Sequence, residues 1–178
     1  GKLLNSYGTP NSWYKDQAFL NDTPRASWAL VSKDVISDSL SKNFLQQTEV
    51  IVNYLKQVFQ GQPLPDTYQE AIQEFESKKA GIQAILTSNW PEAAKQLSEL
   101  KINQLTRQLP IETIYDFILY FKNNKQRILE GKYTWTYRRD SDGRLVTVGS
   151  FASGGAAVYH WHPGTVAASL GVVFSRSL

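Results

Sequence analysis

Three observations predict an α+β fold for this chain. From Lys42 to Arg127, apolar residues recur at steps of three and four, the period of helices. From Tyr133 onward the apolar runs shorten, alternate with polar residues and are separated by Gly-containing turns, the pattern of strands. Composition breaks at the same place. The first 137 residues hold 12 Lys, 8 Glu and 13 Gln, while the last 41, Arg138–Leu178, hold none of the three and carry 6 of the 11 Gly.

The elements follow in order. Residues 1–25 contain Gly8, Pro10, Asn11, Asn21, Asp22 and Pro24 and read as an irregular arm, which Trp13, Tyr14 and Phe19 dock on the body. Residues 26–36 read as a strand with Trp28, Leu30 and Ser32 on one face. Asp38, Ser39 and Ser41 supply helix-start chemistry. A first helix then carries Phe44, Thr48, Ile51, Leu55 and Val58 on its inner face and ends at Gly61 and Pro63. A second begins at Asp66 or Thr67, with Tyr68, Ile72, Phe75, Ile82 and Ile85 inward. Ser88-Asn89-Trp90-Pro91 opens a short third helix through Leu100, with Pro91 where a missing N–H is tolerated.

A fourth helix, Pro110 to Arg127, is apolar almost all round, which places it at the centre of the core. Tyr133–Arg138, a turn at Ser141-Asp142-Gly143 and Leu145–Phe151 form a hairpin. Ser153-Gly154-Gly155 turns into a strand over Ala156–Trp161. His162-Pro163-Gly164 opens a loop, and Leu170–Arg176 is a final strand apolar enough to be central.

At 178 residues the chain suits one domain with a real core. Hydrophobic residues are 42%, charged 20% and aromatic 12%, so the aromatics serve either a heavy core or a recognition face. A net charge of +3 with no dense basic block disfavours nucleic acid as a partner. The absence of Cys excludes disulfides, thiolate metal sites and a cysteine nucleophile. No apolar run approaches the roughly 20 residues of a membrane helix. The chain opens on Gly and contains no Met, as expected for the C-terminal part of a longer protein or a mature form.

Chemistry-bearing residues are sparse. His160 and His162 flank Trp161 and share a strand face, but a metal site needs three or four ligands, and the nearby carboxylates Asp140 and Asp142 belong to a turn. The expectation is therefore no metal and no cofactor. Gly154-Gly155 precedes no helix and is a turn rather than a phosphate cradle. Arg138-Arg139-Asp140 reads as the solvated end of a hairpin. No Ser/His/Asp order and no carboxylate pair singles out a catalytic centre, so catalysis is not expected.

Tyr133-Thr134-Trp135-Thr136, Ser141-Asp142-Gly143, Val146-x-Val148-Gly149-x-Phe151, Gly155-x-x-Val158-x-x-Trp161-x-Pro163 and Leu170-Gly171-Val172-Val173-Phe174-Ser175-Arg176 together resemble the C-terminal part of C-type-lectin-fold domains. The resemblance is to the formylglycine-generating-enzyme-like subgroup that serves as variable proteins of bacterial and phage diversity-generating retroelements. It covers the last 45 or so residues; the helical region matches only in the order of its elements. It implies a small antiparallel sheet, several packed helices, and first and last strands that pair. It also divides the chain into an arm at 1–25 and a domain at 26–178, with a scaffold over 26–137 and a variable region over 138–178.

Such retroelements randomise adenines, typically in AAC codons, and an NNC codon cannot encode Lys, Glu, Gln, Met or Trp. The composition of the tail fits that history. The resemblance then implies a hypervariable, non-catalytic ligand-binding protein. Its exchangeable positions would be Thr147, Ser150, Ala152, Ala156, Ala157, Tyr159, His160, His162, Thr165, Val166, Ala167 and Ala168, with Tyr137, Arg139 and Arg144 as further candidates. These side chains are expected on one exposed face, facing a macromolecular ligand, a protein by preference, while Val146, Val148, Phe151, Val158 and Trp161 point inward. The subgroup's enzymes use Cys or a His-rich iron site, and true lectins cluster Asp, Glu and Asn around calcium; this tail has neither. Two other readings stand beside display: an enzyme or effector fragment built on Tyr, Asp and Arg, and a structural or oligomerising module.

Overall fold

The computed structural model describes residues 12–24 and 28–177. Gly8, Pro10 and Asn11 of the expected arm, and residues 26 and 27 of the expected first strand, lie outside them. The described arm folds into two 3-10 turns, Ser12–Asp16 and Ala18–Asn21. It is docked, as its aromatics predict. Tyr14 and Phe19 are buried, and the Tyr14 hydroxyl donates to Val158 O at 2.9 Å. Gln17 holds the hairpin turn from both ends of its amide, accepting from Ser141 N and donating to Ser141 Oγ at 3.0 Å each.

Helix α1 spans Phe44–Val58. Its start is set by Asn43, whose side chain accepts from Gln46 N while the Gln46 side chain accepts from Asn43 N, a reciprocal capping box. Asp38, Ser39 and Ser41 do not cap it, and Ser37–Ser39 is a separate 3-10 turn. Phe44, Thr48, Ile51 and Leu55 are buried as their spacing requires, whereas Val58 is exposed on the wall of an open groove beside Leu30 and Phe59. Helix α2, Asp66–Ile85, and α3, Trp90–Glu99, follow the sequence pattern, with Ile85 only half-buried. A short α4, Lys101–Thr106, was not legible in the sequence. It buries Ile102, Asn103 and Thr106, then delivers Arg107 into the interior. The Arg107 guanidinium lies 3.9 Å over the Phe44 ring and its Nε donates to Asn103 Oδ1 at 3.0 Å. Burial with no carboxylate beside it among the described residues pushes its pKa down to about 9.

Helix α5, Pro110–Asn124, corrects the strongest expectation about the core. It is not central. Pro110, Thr113 and Phe117 are buried, while Tyr115, Ile118 and Leu119 are 55, 47 and 45% exposed. The helix packs on one face of the sheet and on the second 3-10 turn of the arm, and nothing among the described residues covers its outer side. An all-round apolar helix is fully buried only when neighbours exist on every side.

The β elements are β1 Ala29–Val31, β2 Tyr133–Arg139, β3 Leu145–Ala152, β4 Gly155–Trp161, β5 Leu170–Gly171 and β6 Ser175–Ser177. They form a two-stranded sheet, β1-β6, and a four-stranded sheet in the order β4-β3-β2-β5. The first and last strands pair antiparallel, Ala29 with Ser177 and Val31 with Ser175, so the predicted adjacency holds. The final run is not one central strand, however. Leu170–Gly171 pairs parallel with β2, and Val172–Phe174 crosses buried between the two sheets. Across that gap the N–H groups of Val172, Val173 and Phe174 donate to the hydroxyls of Ser39, Thr134 and Ser32 at 2.9–3.0 Å, replacing ladder bonds. The first strand is three residues long, and Trp28 and Leu30 are exposed rather than in the core, Leu30 bordering an open groove shared with Tyr54, Val58 and Phe59.

Two apolar clusters sandwich the larger sheet. One gathers α1–α4 with Trp135, Leu145 and Leu170; the other gathers Tyr14, Phe19 and Phe117 with Val146, Val148, Phe151 and Val158. Within the sheet, Gly149 lets the start of β2 approach β3 closely, because a Cβ there would lie 2.1 Å from Lys132 O. The architecture is a mixed α+β fold with small sheets that are antiparallel apart from the β2–β5 pair. No described helix is long and apolar enough to cross a membrane.

Candidate functional site

Strand β4 is an edge of the larger sheet, and its alternation decides which tail residues can meet a ligand. Val158 lies in the second apolar cluster, with Ala156 packed against it, and His160 contacts the arm. Ala157, Tyr159 and Trp161, of opposite parity, turn to the other face. The twelve candidate positions therefore do not share one face, and the period of two is the reason.

Thr147 is fully buried, because β3 is flanked by β2 and β4 and covered on both sides. Among the described residues its hydroxyl has no hydrogen-bond partner, and its directly paired neighbours are Trp135 and Tyr159. Ser150 sits at a bulge with φ 47, where the register slips between Gly149 and Ala152. Ser150, Ala152, Ala156, Ala157, His160, His162, Thr165 and Ala167 are half-buried, and Ala167 packs against the helical core. Tyr159, Val166 and Ala168 are exposed. Among the residues expected inside, Val146, Val148, Phe151 and Val158 are buried, but Trp161 is 44% exposed, since its side of the edge strand has no covering layer there.

What the fold does bring together is an aromatic row beside the 162–169 loop. Tyr159, 43% exposed, packs at 5.9 Å from the Tyr133 ring, and Trp161 follows two residues on along the same face. Ser169 O accepts from Tyr133 N at 2.7 Å, which returns the loop carrying Thr165, Val166 and Ala168 to the start of β2. At the far end of β4, His162 packs 5.1 Å from Trp90, and the Arg144 guanidinium lies 5.9 Å over that indole. Desolvation, then the positive charge of Arg144, hold the His162 pKa below its ordinary value. Gly164 N donates to His162 Nδ1 at 3.0 Å, so the ring is neutral with its proton on Nε2. The site thus gathers two Trp, two Tyr and an Arg, residue types enriched at protein interfaces in general.

His160 belongs elsewhere. Its ring packs edge-on at 4.6 Å from Trp13, and its Nδ1 contacts Asp140 Oδ2. The Asp140 carboxylate is fully buried, and its Oδ1 accepts from Arg144 N at 2.8 Å, closing the hairpin turn. With Asp142 these groups offer one ligand atom each within 4.8 Å of one another. The turn that the sequence set aside thus lies against His160, and three donors of this kind suit a divalent transition metal completed by water. Each carboxylate already has a partner in the fold: Asp140 holds His160 and the turn, and Asp142 pairs with Arg144 at 3.4 Å.

The sequence did not reveal Trp161 as a surface group, nor the half-buried Trp90 and Tyr133 as parts of the site. Parity along β4 was the available signal for Trp161, and it separates Tyr159 from His160 as well. Trp90 lies 54 residues before Arg144 and reaches the site only through packing of α3 beside the sheet. No protein-family model matches the chain, and no curated protein or solved structure matches it at a significant level.

Proposed function

We propose that the chain is a C-type-lectin-like variable protein of a diversity-generating retroelement, non-catalytic, whose ligand face is the Tyr159 side of β4 with the 162–169 loop. The observation that carries this reading is the exposed pair Tyr159 and Trp161 on β4, flanked by the half-buried Tyr133, Trp90, His162 and Arg144 and backed by a hydrogen-bonded frame. Ala157, Tyr159, His162, Thr165, Val166 and Ala168 belong to that face and also to the segment that lacks Lys, Glu, Gln and Met. Thr147 is withdrawn from the exchangeable set, and Ser150, Ala152, Ala156, His160 and Ala167 do not line this face. A face of aromatic anchors among small residues suits a protein surface, where rigid rings contribute large contact area at low entropic cost.

Sequencing the flanking DNA tests diversification. The expected result is a near-copy of the segment encoding residues 138–178, differing only where the copy has adenine, beside a reverse-transcriptase gene. Absence of such a copy overturns this part of the reading. The display surface has its own test, a library randomised at Ala157, Tyr159, His162, Thr165, Val166 and Ala168. Changes at the exposed Tyr159, Val166 and Ala168 should cost about 0.5 kcal/mol or less each and those at the half-buried Ala157, His162 and Thr165 somewhat more, so most members should still fold, and selection should yield binders to chosen proteins. Widespread unfolding would mean these positions are structural. A self-associating role for the same chain is favoured by one observation, the uncovered apolar face of α5.

A further inference from the structure

Along α5, Ile111, Tyr115, Ile118, Leu119 and Lys122 recur at i, i+4, i+7, i+8 and i+11, which places them on one side of the helix. The opposite side, through Thr113 and Phe117, is buried against the sheet. Three large apolar side chains in a row, each about half exposed, form a contiguous patch rather than scattered surface hydrophobes. The patch carries one charge, Lys122, near its C-terminal end, and Glu112 borders it in the first turn.

We propose that α5 packs against α5 of a second copy of this chain, antiparallel across a two-fold axis level with Phe117. In an antiparallel pair, residues equidistant from the axis lie at the same height. Tyr115 of one copy then faces Leu119 of the other, and Glu112 faces Lys122, because both pairs share the midpoint Phe117. One oxygen of Glu112 accepts from Leu109 N at 2.8 Å, and the second is left for the lysine. Antiparallel packing also sets the positive end of each helix dipole beside the negative end of its neighbour. A parallel pair would instead oppose Lys122 to Lys122 and Glu112 to Glu112. The self-complementary order of charge and apolar groups selects a second copy as the occupant.

A fifteen-residue helix is only about 22 Å long. The contact therefore falls near the lower bound of about 1,000 Å² for specific interfaces, and the dimer forms with concentration rather than as an obligate unit. Because α5 lies on the Val148 and Val158 side of the sheet, the Tyr159 faces of both copies stay open and point away from each other. If that face is the ligand site, as proposed above, the dimer is bivalent and gains avidity for repetitive targets.

The test is the mass of the 178-residue chain in solution, by sedimentation across a concentration series. Expected is a shift from one-chain to two-chain mass. Ile118→Lys with Leu119→Lys should weaken dimerisation by about tenfold or more while far-UV circular dichroism and melting temperature stay those of the parent. Lys122→Glu should weaken it too, by setting two acids face to face. The chain has no cysteine, so Ile118→Cys supplies a unique thiol near the axis; it should cross-link on mild oxidation faster than Gln73→Cys, an exposed position on α2. A chain that stays monomeric at every concentration overturns the proposal. So does a dimer indifferent to the paired lysines, or equal cross-linking at Ile118 and Gln73. None of these readouts involves ligand, so failure here is distinguishable from failure of the display reading.

Discussion

Helices α1 and α5 are each fifteen residues long and rich in apolar side chains, yet α1 buries seven residues and α5 three. The difference does not follow apolarity, since α5 has fewer polar residues to set against its Ile, Leu, Tyr and Phe. It follows the number of sides that find a neighbour. α1 is packed by α2, α4 and the Ser37–Ser39 turn and touches Trp135 of the sheet through Phe44, whereas among the described elements α5 packs chiefly on the sheet and the arm. Burial is a property of the assembly of elements, and apolar character alone is permission rather than placement. The same contrast recurs one layer in. Thr147 and Tyr159 are directly paired, but the central strand buries one and the edge strand exposes the other.

The contrast between the two helices breaks most easily at Phe44. Phe44→Ala should cost about 3–5 kcal/mol, because the ring fills the gap between Trp135 and Arg107 and its loss leaves a cavity under a buried cation. Ile118→Ala in α5 should stay within about 0.5 kcal/mol in the dilute monomer. Urea unfolding measures both, and a cost at Ile118 approaching that at Phe44 would show that the outer face of α5 is covered within one chain.

A smaller effect sharpens the contrast inside the sheet. Thr147→Val replaces a buried hydroxyl that has no partner among the described residues by a methyl group of similar size, and should stabilise the protein by about 1 kcal/mol. Tyr159→Ala, directly opposite, should leave stability nearly unchanged. A loss of stability at Thr147 would mean that its hydroxyl is bonded in solution.

The smallest effect is at His162. Its pKa lies below the ordinary 6.5, so between the two values the unfolded chain binds more protons than the folded one. Its contribution is therefore complete above pH 6.5 and is lost as the pH falls through 6.5 toward the folded value. Protonation also removes the acceptor that Gly164 N uses. Following the ring protons by NMR should show a titration below the ordinary value, and Arg144→Gln should move it upward by removing the neighbouring charge. An unchanged midpoint in that variant would exclude Arg144 as a cause.

Much of the fold was legible because it is local. The three-and-four spacing of Phe44, Thr48, Ile51 and Leu55, Pro91 at a helix start, and the Ser141-Asp142-Gly143 turn each depend on neighbours in sequence. So did the inward set Val146, Val148 and Val158, whose burial follows from alternation, whereas Phe151, of opposite parity, reaches the same cluster through the bulge at Ser150. α4 escaped because six residues are too few to establish a period. The site was less legible. Parity was present in the chain and separates His160 from Tyr159, but Trp90 and Arg144 join the aromatic row only through contacts between distant elements.

By itself, then, the sequence determined the segregation of helices from strands, the turns, the pairing partners of the hairpins and the composition of the tail, because backbone geometry imposes those periods wherever the residues occur. Tertiary structure alone decided three things. It divided the last strand between two sheets, it laid the Asp140 turn against His160, and it left one side of the most apolar helix facing solvent. Each depends on which surfaces remain after the other elements have packed, and no local period records that.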